Sequence, residues 1–80
     1  MINVATNPSL GHMIQTARIA ATLTQSELVE RIQKSITTIS RYENSKTYPN
    51  SDSLRDLAEV LEVTVAYLLG DEVHSDARLL

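Results

Sequence analysis

TQSELVERIQKSITTISRYE, residues 24–43, contains two short helical patterns around a turn only a few residues long. Thr24 and Glu27 have the S/T-x-x-E spacing in which each side chain caps a backbone N–H left free at a helix start. Leu28, Val29 and Ile32 then recur at helical spacing. Gln33, Lys34 and Ser35 form the expected turn, and Ser35 can cap a second helix in which Ile39 and Tyr42 point inward. Ile36, Thr37, Ser40, Arg41 and Asn44 then lie on other faces. A helix anchored by so few residues keeps a polar and β-branched surface free for another molecule.

Upstream, Asn7-Pro8 has the form of an N-cap followed by proline at the first helical position, where the missing N–H costs nothing. Leu10, Ile14, Ala17 and Ala21 mark one buried stripe, so the first helix is expected over about residues 8–22. Downstream, NSKTYPN (44–50) is a loop by composition, with Asn50 or Ser51 placed to cap a fourth helix. Leu54, Leu57, Ala58 and Leu61 form its core side, and Arg55, Asp56, Glu59 and Glu62 its wet side. Thr64 caps a short fifth helix with Val65, Leu68 and Leu69 as its apolar face, and Gly70 stops it. The expected fold is all-α: a compact five-helix domain with a helix-turn-helix at helices two and three, the layout that sets its second helix in the major groove of DNA. Residues 1–8 read as an N-terminal arm, 9–70 as the domain, and 71–80 as an acidic tail that frays or joins a dimer contact.

Eighty residues without cysteine must be stabilised by packing in a single core, with neither disulfide nor thiolate metal site. No apolar run approaches the roughly 20 residues that span a bilayer, and the N-terminus lacks the pattern of a signal peptide, so a soluble, cytoplasmic protein is expected. The net charge of −3 opposes phosphate binding only if charge is spread evenly. It is not: Arg31, Lys34, Arg41, Lys46 and Arg55 stand against only Glu43 and Asp52 in residues 31–55. Residues 56–80 hold Arg78 against Asp56, Glu59, Glu62, Asp71, Glu72 and Asp76. The positive stretch coincides with the exposed helix and the loop after it.

From about Leu10 to Gly70 the chain resembles the lambda-repressor/Cro-type helix-turn-helix domain, the XRE family. The matching residues are Leu10-Gly11, Ile14 and Arg18; Thr24-Gln25-x-Glu27-Leu28; and Ile39-Ser40-Arg41-Tyr42-Glu43-Asn44. Pro49, Leu54-x-x-Leu57-Ala58-x-x-Leu61-x-Val63 and Leu68-Leu69 follow. The resemblance implies a transcriptional regulator, a repressor before an activator, that binds a palindromic double-stranded operator as a homodimer without a cofactor. It implies base contacts from Ile36, Thr37, Ser40 and Arg41, with Arg41 the natural partner of guanine. Gln25 is the implied phosphate clamp at the second helix, while Lys34, Thr38, Asn44, Lys46, Thr47 and Tyr48 can bracket the groove. It further implies a buried ion pair, Arg18 with Glu43, tying the first helix to the end of the third. Three departures affect the turn. Val29 stands where a small alanine is usual, which can spread helices two and three. Gln33 replaces a glycine, and a left-handed conformation there would cost about 1 kcal/mol. Lys34 replaces an apolar residue, so its stem can cover the core while its ammonium reaches towards phosphate.

Val65, Tyr67, Leu68 and Leu69 crowd a helix too short to bury them all, so they are expected at a dimer interface. No enzyme is expected: His12 and His74 fall in weakly patterned places, His12 reads as a surface residue, and no metal-ligand, nucleophile or phosphate-loop spacing occurs. The alternative is a protein-interaction module or antitoxin-type regulator that binds a partner protein through its acidic C-terminal half.

Overall fold

The computed structural model describes residues 9–71, which form five helices: α1 (Leu10–Ala20), α2 (Gln25–Val29), α3 (Ile36–Glu43), α4 (Ser51–Leu61) and α5 (Val65–Leu68). Each starts on a hydroxyl or amide cap that accepts a backbone N–H three residues on: Ser9, Thr24, Ser35, Asn50 and Thr64. At α2 the capping box is complete, with Thr24 N–H donating to Glu27 and Glu27 N–H donating to Thr24.

The first helix differs from expectation. Its cap is Ser9, whose Oγ accepts from His12 N–H at 3.1 Å, so helical geometry begins at Leu10. Asn7 and Pro8, expected as cap and first helical residue, lie outside the described residues, as do the arm 1–8 and the tail beyond Asp71. The helix also stops at Ala20, because Thr22 turns left-handed at φ 60°.

That stop recurs. Thr22, Ser45, Glu62 and Gly70 all have positive φ, each just past a helix. At each, a 6→1 and a 5→2 hydrogen bond satisfy the last carbonyls. After α3, for instance, Lys46 N–H donates to Arg41 C=O at 2.8 Å and Ser45 N–H to Tyr42 C=O at 3.1 Å. The left-handed strain expected at Gln33 is therefore absent from the α2–α3 turn, since Gln33 keeps a negative φ. The turn avoids it by being longer: α2 ends at Val29, and residues 30–35 carry the chain to α3.

The core takes one fully buried side chain from each helix: Ile14, Leu28, Ile39, Leu57 and Leu68. Ala17, Ile32, Tyr42, Ala58 and Leu61 fill the remaining space, and Val29 packs at its edge. α1 lies against α3, α4 and α5, while α2 packs on α3. Leu68 thus belongs to the core, which corrects its expected place at a dimer interface. A four-residue helix can turn one large side chain fully inward, and Leu68 takes that position while Leu69 remains 49% exposed. Among the described residues, no helix is long and apolar enough to cross a membrane.

Candidate nucleic-acid interface

α3 has a sharply divided surface because Ile39, Tyr42 and Glu43 are buried and together fix its roll and tilt. What remains outside is Ile36, 45% exposed, with exposed Thr37 and Arg41 and half-buried Ser40. All four predicted base-contacting residues therefore reach the surface of one helix. Ser40 Oγ lies 3.3 Å from Asn44 Nδ2, which donates to it. Arg41 makes no side-chain hydrogen bond or ion pair among the described residues.

The predicted phosphate-contacting residues flank this helix at both ends. Lys34 is half-buried in the turn before it, consistent with a stem laid along the core edge. Asn44, Lys46, Thr47 and Tyr48 are exposed after it, Tyr48 at 72%. Thr38 is less available, because its hydroxyl is 3.1 Å from Ser35 Oγ within the cap of α3. Of the cations in the positive stretch, Arg55 is paired with Asp52 at 2.7 Å, leaving Arg31, Lys34, Arg41 and Lys46 without an ion-pair partner among the described residues.

Arg18 and Glu43 form a bidentate pair: Nε donates to Oε2 at 2.6 Å and Nη2 to Oε1 at 3.1 Å. The side chains are 12% and 2% exposed, so water does little to screen them. The fork does more than join two helices. Arg18 Nη1 donates to Leu23 C=O at 2.8 Å, and Gln25 Nε2 donates to Glu43 Oε1 at 3.1 Å. The start of α2 is thereby fastened to the end of α3, and one N–H of the Gln25 amide is already engaged.

Two positioning features escaped the sequence reading. Gly11, on α1, lets that helix approach the end of α3 so closely that an added Cβ would sit 2.3 Å from Tyr42 C=O. A glycine inside a helical pattern was the available signal. Ser45 Oγ also donates to Ser9 Oγ at 3.2 Å, a contact across the chain that no local pattern encodes.

A family model described as helix-turn-helix matches residues 14–68. The chain is 39% identical over 59 residues to an HTH-type transcriptional activator, BcrR, of Enterococcus faecalis, covering 74% of this chain and 29% of that protein. It is 38% identical over 66 residues to an HTH-type transcriptional regulator, ImmR, of Bacillus subtilis (strain 168), covering 81% of this chain and 52% of that one. It thus spans about half or less of these relatives. The fold is similar to that of the P22 c2 repressor protein in a crystal structure with synthetic operator 9T and Tl⁺. That similarity has a TM-score of 0.76 and 29% identity, over 81% of this chain and 98% of the other.

Proposed function

The chain belongs to the helix-turn-helix family, in its lambda-repressor/Cro-type form, and from that premise we infer that it is a transcriptional regulator binding double-stranded operator DNA. The observation that carries this reading is the division of α3. Buried Ile39, Tyr42 and Glu43 hold the helix, and Ile36, Thr37, Ser40 and Arg41 face outward, where a major groove can receive them. Gln25, Lys34, Asn44, Lys46, Thr47 and Tyr48 supply phosphate contacts on either side, with Thr38 as a weaker contributor. The operator complex of the similar repressor and the regulatory roles in the relatives' names support the same reading. A cytoplasmic location accompanies it.

With only Arg31, Lys34, Arg41 and Lys46 as cations without an ion-pair partner among the described residues, one domain binds weakly. A homodimer on a two-fold site doubles the contacts, with half-sites one helical turn apart. Its surface is formed by half-buried Val65 and Tyr67 of α5 with Leu69, the C-cap of that helix.

A second reading, docking of a partner protein in the manner of an antitoxin-type regulator, rests on one observation. Asp52, Asp56, Glu59 and Glu62 of α4 are all exposed, and only Asp52 forms an ion pair among the described residues. Binding to a duplex pool by fluorescence anisotropy at two salt concentrations separates the readings. A DNA reader loses affinity steeply as salt rises, because bound phosphates release counterions. Absence of binding even at low salt would leave the partner-protein reading.

A further inference from the structure

Three side-chain N–H groups converge on the Glu43 carboxylate, and Arg18 supplies only two of them. The third belongs to Gln25, whose Nε2 donates to Oε1 at 3.1 Å from 18 positions away in sequence. Glu43 is 2% exposed, while Gln25 opens α2 and is half-buried, so its amide lies where the interior of the fold meets solvent. The charge of Glu43 is already matched by the bidentate Arg18 fork. The Gln25 bond therefore acts mainly on Gln25.

The chemistry of the partner decides which end of the amide turns inward. An ionised carboxylate only accepts, so Gln25 must face Glu43 with its nitrogen and never with its oxygen. A glutamine free on a surface keeps many rotamers and presents either end. A phosphate, like a carboxylate, needs the nitrogen. Held through one N–H, the Gln25 amide keeps a second N–H, pointing another way, for an acceptor outside the fold.

We propose that Glu43 is a positioning residue for DNA binding: it fixes the Gln25 amide before a duplex arrives, so that the remaining N–H meets a backbone phosphate. The proposal rests on the DNA-binding reading above and specifies how one of its phosphate contacts is built. Ordering a long side chain during association costs affinity, and ordering it beforehand removes that cost. Arg18 has a complementary part, because its charge offsets a carboxylate that would otherwise repel the phosphate across the amide.

The test starts by enriching a random duplex pool on the full chain. The recovered half-site is then resynthesised with one uncharged methylphosphonate at a time. At the phosphate held by Gln25 the replacement is expected to weaken binding roughly tenfold, the effect of one charge-assisted hydrogen bond. In Gln25→Ala that effect should vanish. Glu43→Gln keeps the shape but leaves a single acceptor oxygen, which the Arg18 fork claims, so there the effect should shrink to about twofold. Replacements at the other phosphates should weaken Glu43→Gln and the unaltered chain alike. A purely structural Glu43 would instead change every phosphate's effect in proportion, and that result overturns the proposal, as does an undiminished effect at the Gln25 phosphate. If circular dichroism shows that Glu43→Gln does not fold, side-chain ¹⁵N relaxation of the unaltered chain without DNA decides. The Gln25 amide should be as restrained as the helix backbone; an amide as mobile as that of exposed Gln33 overturns the proposal while DNA binding stands. A pool that yields no bound duplex overturns the DNA-binding reading itself.

Discussion

At Gly11 the absence of one carbon sets how closely α1 lies against the end of α3. A Cβ there would meet Tyr42 C=O at 2.3 Å and Glu43 C=O at 2.8 Å, both backbone atoms that cannot rotate away. Alanine gains about 0.5–1 kcal/mol over glycine in a helix, but this overlap outweighs it. Gly11→Ala should lower stability by about 1–3 kcal/mol in urea melts, the usual penalty of overpacking. An unchanged midpoint would show that the helices separate freely. Thr22 poses the opposite case, a β-branched residue at φ 60°. Relieving its left-handed strain gains about 1–2 kcal/mol, against about 0.4–1 kcal/mol lost to the greater freedom of unfolded glycine. Thr22→Gly should therefore raise the thermal midpoint slightly; a fall would mean that the Thr22 side chain stabilises more than its backbone geometry costs.

Among the elements, the Arg18–Glu43 fork decides where the reading helix lies. It touches α1, the α1–α2 connection, the start of α2 and the end of α3 at once. Removing either partner leaves the other charge buried, at a cost of about 3–5 kcal/mol. A cycle of Arg18→Met, Glu43→Leu and the double variant should show both singles strongly destabilised and the double no worse than the worse single. Fully additive losses would dismiss the coupling. The double variant should not regain full stability, since Leu23 C=O and the Gln25 amide would still lack their partners.

For the whole molecule, stability rests on a core in which every helix contributes one fully buried side chain. No single helix here holds together alone, because even the longest, α1 and α4, have eleven residues. Assembly extends the same logic to the apolar surface left outside. Leu69 is 49% exposed and lies outside the core, so Leu69→Asp should leave folding intact. Sedimentation equilibrium should then move from dimer to monomer, with affinity for a two-half-site duplex falling and that for one half-site unchanged. A wild-type chain that sediments as a monomer at micromolar concentration would remove the dimer from the proposal.

The N-caps Thr24, Ser35 and Thr64, Asn50 as one of two candidates for a fourth, the apolar face of α4, the stop at Gly70 and the outward face of α3 were legible in the sequence, because caps and helical periodicity are encoded within three or four neighbouring residues. Arg18 and Glu43 were picked out by family resemblance, since their pairing spans 25 positions. The tertiary structure alone decided the rest: the fork's hold on Leu23 and Gln25, the close approach at Gly11, and the division between buried Leu68 and exposed Leu69. It also moved left-handed backbone from the expected Gln33 to Thr22, Ser45 and Glu62. The reason is one of range. A local pattern says which side chains can share a helix face, but which of them meets another helix depends on how the helices stack.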